Sequence, residues 1–364
     1  MAAMRLLLIL ILILILISCL AGTMPLFAAP LEIIPAALRG GLQPQVAVAP
    51  SGRVHVVFGK GRAIYHTSSP DGRTFSSPAK IGELEKLALG MRRGPRVTAT
   101  EERLLVTAIS HADGNLHAWT SPDIGKTWKE SPALNTTLNS AREGLQALAG
   151  DGRGLVVAVW LDSRSGGMEP WFRLSRDGGA TWASDASLYA SPDGHICECC
   201  APNVAISSTG EIAVMWRNWV GGSRDLYLAT SRDGLEFSPA RKLGTGSWKL
   251  DGCPMDGGGL AFAPGGDWIA VWRREKAIFA SEPGIPEKPL ASSATQPLVA
   301  YAGKTPLILW EANGSVMLRK GSDEPVVFAR DAKAASIASG PAAAFIAWEA
   351  AVDGQKTLLF DRLP

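Results

Sequence analysis

The chain has 364 residues, with 36 Lys+Arg against 34 Asp+Glu and a net charge of +2. That balance, without any basic run, leaves no field to attract nucleic acid or an anionic membrane, and both are excluded as expected partners. The length exceeds the ~250 residues at which many single cores stop growing, so the chain needs several domains or one architecture closed on itself.

Residues 1–23 read as an export signal. Arg5 precedes an unbroken Leu/Ile run from Leu6 to Ile17, a charged segment followed by an apolar one. The run is short of the about 20 apolar residues that span a bilayer. Leu16-Ile17-Ser18-Cys19 has the form of a bacterial lipobox, which predicts cleavage before Cys19 and a lipid anchor there. The rival is ordinary cleavage after Ala21 or near Ala29. Both predict an extracytoplasmic protein, periplasmic or an outer-membrane lipoprotein. Residues 31–364 are expected to form one domain.

Downstream, short β-branched or aromatic runs recur between turn residues: His55–Phe58, Leu104–Ile109, Val156–Trp160, Ile212–Trp216, Ile269–Trp272, Leu307–Trp310 and Phe345–Trp348. Runs of this length and composition read as strands. Four turns between them share a pattern. Ser121–Trp128 and Ser175–Trp182 match S-x-D-x-G-x-T-W in full, and Ser69–Phe75 and Ser231–Phe237 are shorter versions ending on Phe. In these Asp-boxes Ser and Asp accept hydrogen bonds from backbone amides, and Gly supplies a positive φ. Their aspartates, Asp71, Asp123, Asp177 and Asp233, lie 52, 54 and 56 residues apart. That period, with several short strands in each, is a β-propeller blade.

Aligning the runs gives seven units starting near residues 43, 94, 144, 200, 254, 296 and 334, with six blades as the alternative count. The expected fold is therefore all-β, a propeller of four-stranded blades with Asp-box turns in the first four. The last unit, Ala334–Leu363, lacks a fourth strand, and Leu31–Leu38 is the segment available to supply it, removing an exposed sheet edge.

Four cysteines cluster in the sequence: Cys197, Cys199 and Cys200 in His195-Ile196-Cys197-Glu198-Cys199-Cys200-Ala201-Pro202, and Cys253 in Asp251-Gly252-Cys253-Pro254-Met255-Asp256. The alignment puts both segments just ahead of the innermost strands of adjacent blades, where they should meet. One reading is disulfides, the default for thiols in an oxidising compartment. The other is a soft-metal site of Cys197, Cys199, Cys200 and Cys253 with His195 and Met255. Thiolate, thioether and imidazole suit copper(I) first and zinc second. A strained redox-active disulfide would use the same residues.

The lead-ins to the inner strands also carry Arg39, Arg92, Arg93 and Arg142, and Arg217 and Arg224 fall in the loop between a second and a third strand. Clustered guanidinium groups predict a pocket for a small anion through bidentate hydrogen bonds. Carboxylates available for acid/base work are Glu143, Asp251 and Asp256. Most of the twelve tryptophans are expected in blade packing, leaving Trp219 and Trp248 as contacts for a ligand.

Asp-boxes on a multi-bladed propeller resemble the sialidase superfamily, the BNR-repeat proteins, over about residues 43–364, and the Cys-x-Cys-Cys-Ala-Pro segment resembles a non-standard exported subgroup of it. The resemblance implies hydrolysis of sialic-acid glycosides by an arginine triad, a Tyr–Glu nucleophile pair and an Asp acid/base. The family's first arginine sits in R-I-P, which is absent here; Gly94-Pro95-Arg96-Val97 is nearest. Of the four tyrosines, Tyr65, Tyr189, Tyr227 and Tyr301, none aligns with the nucleophile. The expectation is accordingly a monomeric binding module for a soft metal or anionic ligand. A divergent sialidase-type glycoside hydrolase acting on a glycan, and a scaffold for envelope proteins, are the alternatives.

Overall fold

The computed structural model describes residues 29–364, so the export signal and Cys19 lie outside the described residues. Seven four-stranded antiparallel sheets are arranged in a ring. Their innermost strands are Leu42–Val48, Arg96–Ala99, Gln146–Gly150, Asn203–Ile206, Gly258–Phe262, Thr295–Ala302 and Lys333–Ser339, defining blades 1 to 7. Each begins within a few residues of its expected unit, and consecutive inner strands contact one another around the ring, the last touching the first. The blade count is thus seven, not six. Among the described residues the helical structure is a single 3-10 turn, Ala36–Leu38, and no helix is long and apolar enough to cross a membrane.

Second strands carry the packing. Val156–Asp162 and Ile212–Arg217 are buried along their whole length, because a blade's second strand is covered by neighbouring blades on both faces. Trp160, Trp216 and Trp272 are among the most deeply buried side chains. Outer strands such as Ala186–Ser187 and Arg241–Lys242 are two residues long and polar or small, as suits a wet edge.

Blade 7 is completed by the other end of the chain. Leu31–Glu32 pairs antiparallel with the final strand Gln355–Leu363, with Leu31 opposite Phe360. Ile33 and Ile34 follow it into the core, and Glu32 is fixed by Arg39 at 2.9 Å and Thr357 at 2.6 Å.

The four Asp-box turns have the expected internal bonds. Ser121 Oγ accepts from the Gly125 amide at 2.7 Å, and Asp123 accepts from the Thr127 amide at 2.8 Å and its hydroxyl at 2.6 Å. Each turn also seals a seam. Phe75 of blade 1 meets Phe360 of blade 7 edge-on at 4.7 Å, Trp128 of blade 2 meets His66 of blade 1 at 5.4 Å, and Phe237 of blade 4 meets Phe172 of blade 3 at 5.0 Å. The aromatic therefore packs on the preceding blade and not only beneath its own turn.

A second device recurs where inner strands begin. Gln43, Gln296 and Ala334 have positive φ of 54°, 55° and 50° beside a break in strand register. Each donates its amide to a carboxylate of the preceding blade: Glu349 at 2.9 Å, Asp256 at 3.0 Å and Glu311 at 2.7 Å. The breaks thus collect carboxylates on the face where the cysteines lie.

Candidate functional site

Three thiols converge at the lead-in to blade 4. Ile196 and Cys197 are held between blades 3 and 4, the Ile196 amide donating to Met168 O, just ahead of the third strand of blade 3, at 2.8 Å, and the Cys197 amide to Arg217 O, at the end of the second strand of blade 4, at 3.0 Å. The chain then turns through Glu198 and Cys199 before Cys200 enters the core. Cys197 Sγ lies 3.8 Å from Cys199 Sγ and 3.7 Å from Cys200 Sγ, and all three sulfurs fall within 4.8 Å of one another. Cys197 is 0% and Cys200 1% exposed; Cys199 is half-buried.

Arg224 completes the arrangement, a contact that its place in the loop between second and third strands did not reveal. It leads into the third strand of blade 4, where its amide donates to Trp248 O at 2.8 Å and its Nε to Leu250 O at 3.2 Å. So anchored, it donates through Nη1 to Cys197 Sγ at 3.1 Å. Hydrogen bonds with the Cys199 and Cys200 thiols, outweighing burial and helped by Arg217 and Arg224, pull the Cys197 thiol down from its usual range. The Cys199 thiol is pushed well up, chiefly by its bonds to Cys197 and Cys200. Burial raises Cys200.

The other proposed ligands lie outside this group of three. Cys253 is exposed and unbonded, although its segment runs beside that of Cys200: a side chain on Gly257 would meet Ala201 O at 2.7 Å. Met255 is 44% exposed. The His195 ring stacks on Trp219 at 4.6 Å and is turned toward Ile196 O at 3.1 Å. All four described cysteines are free, so the expected disulfide is not formed: Cys253 stands in solvent and Arg224 covers the sulfur of Cys197.

The arginines are dispersed and mostly engaged. Arg39 pairs with Glu32, and Arg93 donates to Glu143 O at 2.5 Å with Glu143 Oε2 at 3.6 Å. Arg142 is exposed and bonded to Asn139 O. Arg217 is 1% exposed and gives its donors to Arg224 O at 2.7 Å, Arg273 O at 3.0 Å and Asp256 O at 3.3 Å. Arg92 crosses the ring from blade 2, donating to Gly258 O of blade 5 at 2.9 Å and Pro297 O of blade 6 at 2.7 Å. Arg96 is bonded to the carbonyl of Arg92 below it. These guanidinium groups hold backbone carbonyls across the axis, which leaves few donors for an anion.

The axis itself is a channel of about 720 Å³, lined by inner-strand residues of all seven blades and including Gln43, Arg92, Gln146, Asn203, Glu311 and Glu349. Among the described residues no tyrosine lines it; Tyr301 is buried in blade 6, and burial pushes its phenol up to about 12. The three acid/base candidates do not come together. Glu143 is bonded to Arg93, Asp251 is exposed, and Asp256 is 0% exposed with Oδ1 unpartnered. Burial pushes Asp256 up against the pull of Arg92 and Arg217. Trp248, expected to be available to a ligand, is buried beneath Arg217 and Arg273, whose guanidinium carbons lie 5.4 and 5.2 Å from its ring.

Glu311 and Glu349 were not among the sequence candidates. Their signal was their position directly after the second-strand tryptophan, the place that Arg217 and Arg273 occupy in blades 4 and 5.

No family model and no curated protein matches the chain. Solved structures do share its fold. An ulvan lyase of polysaccharide lyase family PL25 superposes with a TM-score of 0.58 at 11% identity, over 92% of this chain and 96% of its own. Virginiamycin B lyase from Staphylococcus aureus gives 0.55 at 11% identity over 92% and 98%. The alpha-L-arabinanase of Penicillium chrysogenum gives 0.53 at 15% identity over 79% and 94%. Propeller glycosidases and lyases are thus among the structural neighbours of this seven-bladed chain, and at such identities the likeness is one of fold alone.

Proposed function

We propose that this protein is an extracytoplasmic binding module whose Cys197, Cys199 and Cys200 hold one copper(I) ion. The observation that carries the reading is the sulfur triangle, with edges of 3.7 and 3.8 Å already in place. Three sulfurs about 2.3 Å from a central metal stand about 4 Å apart in a plane, so little rearrangement is needed. Charge selects the ion. Three thiolates around a monovalent metal carry two negative charges, which the guanidinium groups of Arg217 and Arg224 offset. A divalent ion in the same buried setting leaves an excess positive charge and demands a further anion. Soft sulfur ligands favour copper(I) on chemical grounds as well. The extracytoplasmic address rests on the Leu6–Ile17 run and Cys19.

The test is anaerobic titration of the mature protein with copper(I) against a chromogenic chelator, followed by native mass spectrometry. One copper per chain, lost in a Cys197→Ser, Cys199→Ser, Cys200→Ser triple variant, is the expected result. A metal-free protein whose mass is short by the hydrogens of one or two disulfides would sink the reading.

A further inference from the structure

The three thiols are unequally accessible. Cys197 is 0% and Cys200 1% exposed, while Cys199 between them keeps a side to solvent. Arg224 lies against Cys197 Sγ at 3.1 Å and is pinned to Leu250 O, so Cys197 is covered. A metal arriving from solution therefore meets the sulfur of Cys199 first.

The surroundings of the cluster indicate what brings the metal. The loop that anchors Arg224 at Leu250 continues into the exposed Cys253 and the 44% exposed Met255. Exposed thiol and thioether sulfurs beside a buried thiolate site form a surface on which a copper(I) complex exchanges ligands without meeting water alone.

We infer that Cys199 is the exchange ligand of this site, through which copper(I) is received from, and returned to, a carrier that holds it on thiolates. The inference rests on the three-thiol reading above and goes beyond it by assigning unequal roles to the three sulfurs. In the first step Cys199 Sγ bonds to copper while one carrier sulfur–copper bond breaks, and the Cys199 proton passes to the departing carrier thiolate. Cys197 Sγ then bonds to copper as a second carrier sulfur–copper bond breaks, and the Cys197 proton passes to the departing carrier thiolate. Cys200 completes the site, and its proton leaves to solvent. Copper stays monovalent throughout, so no oxidant or reductant is needed. Cys197 and Cys200 retain the ion, and Cys199 sets how fast it comes and goes.

The experiment is anaerobic stopped-flow transfer of copper(I) from its glutathione complex to the mature protein. Because exchange at sulfur depends on access, Cys199→Ser is expected to slow loading about tenfold or more. Cys197→Ser and Cys200→Ser are expected to load within about twofold of the unsubstituted rate but to lose copper faster to a chelator, since they remove retaining ligands. A Cys199→Ser protein that loads as fast as the unsubstituted one overturns the inference and leaves the three-thiol site standing. Failure of the unsubstituted protein to take copper removes the site itself. Serine at the buried positions risks misfolding, so a second measurement uses the unsubstituted chain. A brief maleimide pulse should label Cys253 and Cys199 before Cys197 and Cys200, and copper loading should protect Cys199 but not Cys253. Labelling of Cys200 as early as Cys199 also overturns the inference.

Discussion

Arg224 and Cys197 are 27 positions apart in the chain and meet at 3.1 Å, guanidinium to sulfur. The contact ties the segment ahead of the first strand of blade 4 to the segment ahead of its third. It also places a fixed positive charge against the sulfur of Cys197, which favours the ionised form of that thiol. Replacing the guanidinium with a neutral amide, Arg224→Gln, should raise the Cys197 pKa by about one unit or more, the usual effect of losing an opposite charge at this range. Ultraviolet titration of thiolate absorbance reads this directly. An unchanged curve would mean that Cys199 and Cys200 hold the charge unaided.

A second titrating pair lies within blade 1. His55 Nδ1 lies 3.0 Å from His66 Nε2, both rings are buried, and burial pulls His66 down to about 4 and His55 to about 3. Unfolded imidazoles take up protons near 6.5, whereas the folded ones resist until near 4 and 3. Stability is therefore full above pH 6.5 and falls as the pH drops from there toward those folded values. At pH 5 the loss should be about 2 kcal/mol for each ring. Urea midpoints between pH 7 and about 4 measure it. His55→Asn with His66→Gln should flatten the slope, and a slope that persists in that variant would place the acid sensitivity elsewhere.

The Asp-box seam gives a sharper mechanical expectation. Gly179 has a φ of 88°, and a Cβ there would sit 2.9 Å from Leu105 of the preceding blade. Gly179→Ala should cost about 1–3 kcal/mol, combining a disfavoured backbone with crowding between blades. Placing alanine at Gly166, which has a φ of 92° and open space around it, isolates the backbone part. Equal losses at both positions would deny the seam any role.

Arg92 bridges blade 2 to blades 5 and 6 through Gly258 O and Pro297 O. Arg92→Met should leave those carbonyls without their donors and lower stability by about 2–4 kcal/mol. The denaturant midpoint should shift without a change in slope. A variant as stable as the original would show that the spoke contributes nothing net.

The architecture was legible because its determinants are local. Trp160, Trp216 and Trp272 end runs whose composition admits only strand, and the Asp-box writes its turn into eight consecutive residues. The closing strand was legible by subtraction, from a last unit that was one strand short. The thiol cluster was partly legible for the same reason: Cys197, Cys199 and Cys200 are close in sequence, so a single turn brings them together. The approach of Arg224 to Cys197 was hidden because the arginine comes from another hairpin, and the spoke role of Arg92 because its partners lie across the axis. Alignment placed the Cys253 segment beside that of Cys200, but it could not tell that this side chain faces solvent, a matter of loop conformation and not of register.

The pairing of Leu31 with Phe360 imposes an order in time. A ribosome delivers the chain from its N-terminus, so the first strand of the domain waits through the making of nearly all the rest before its partner exists. Until then every intermediate presents an unpaired sheet edge, the kind of surface on which partly made chains stick to one another. Ring folding here is a latch that engages once, at the end. A nonsense mutation anywhere before Gln355 should yield not a smaller working propeller but material for proteolysis.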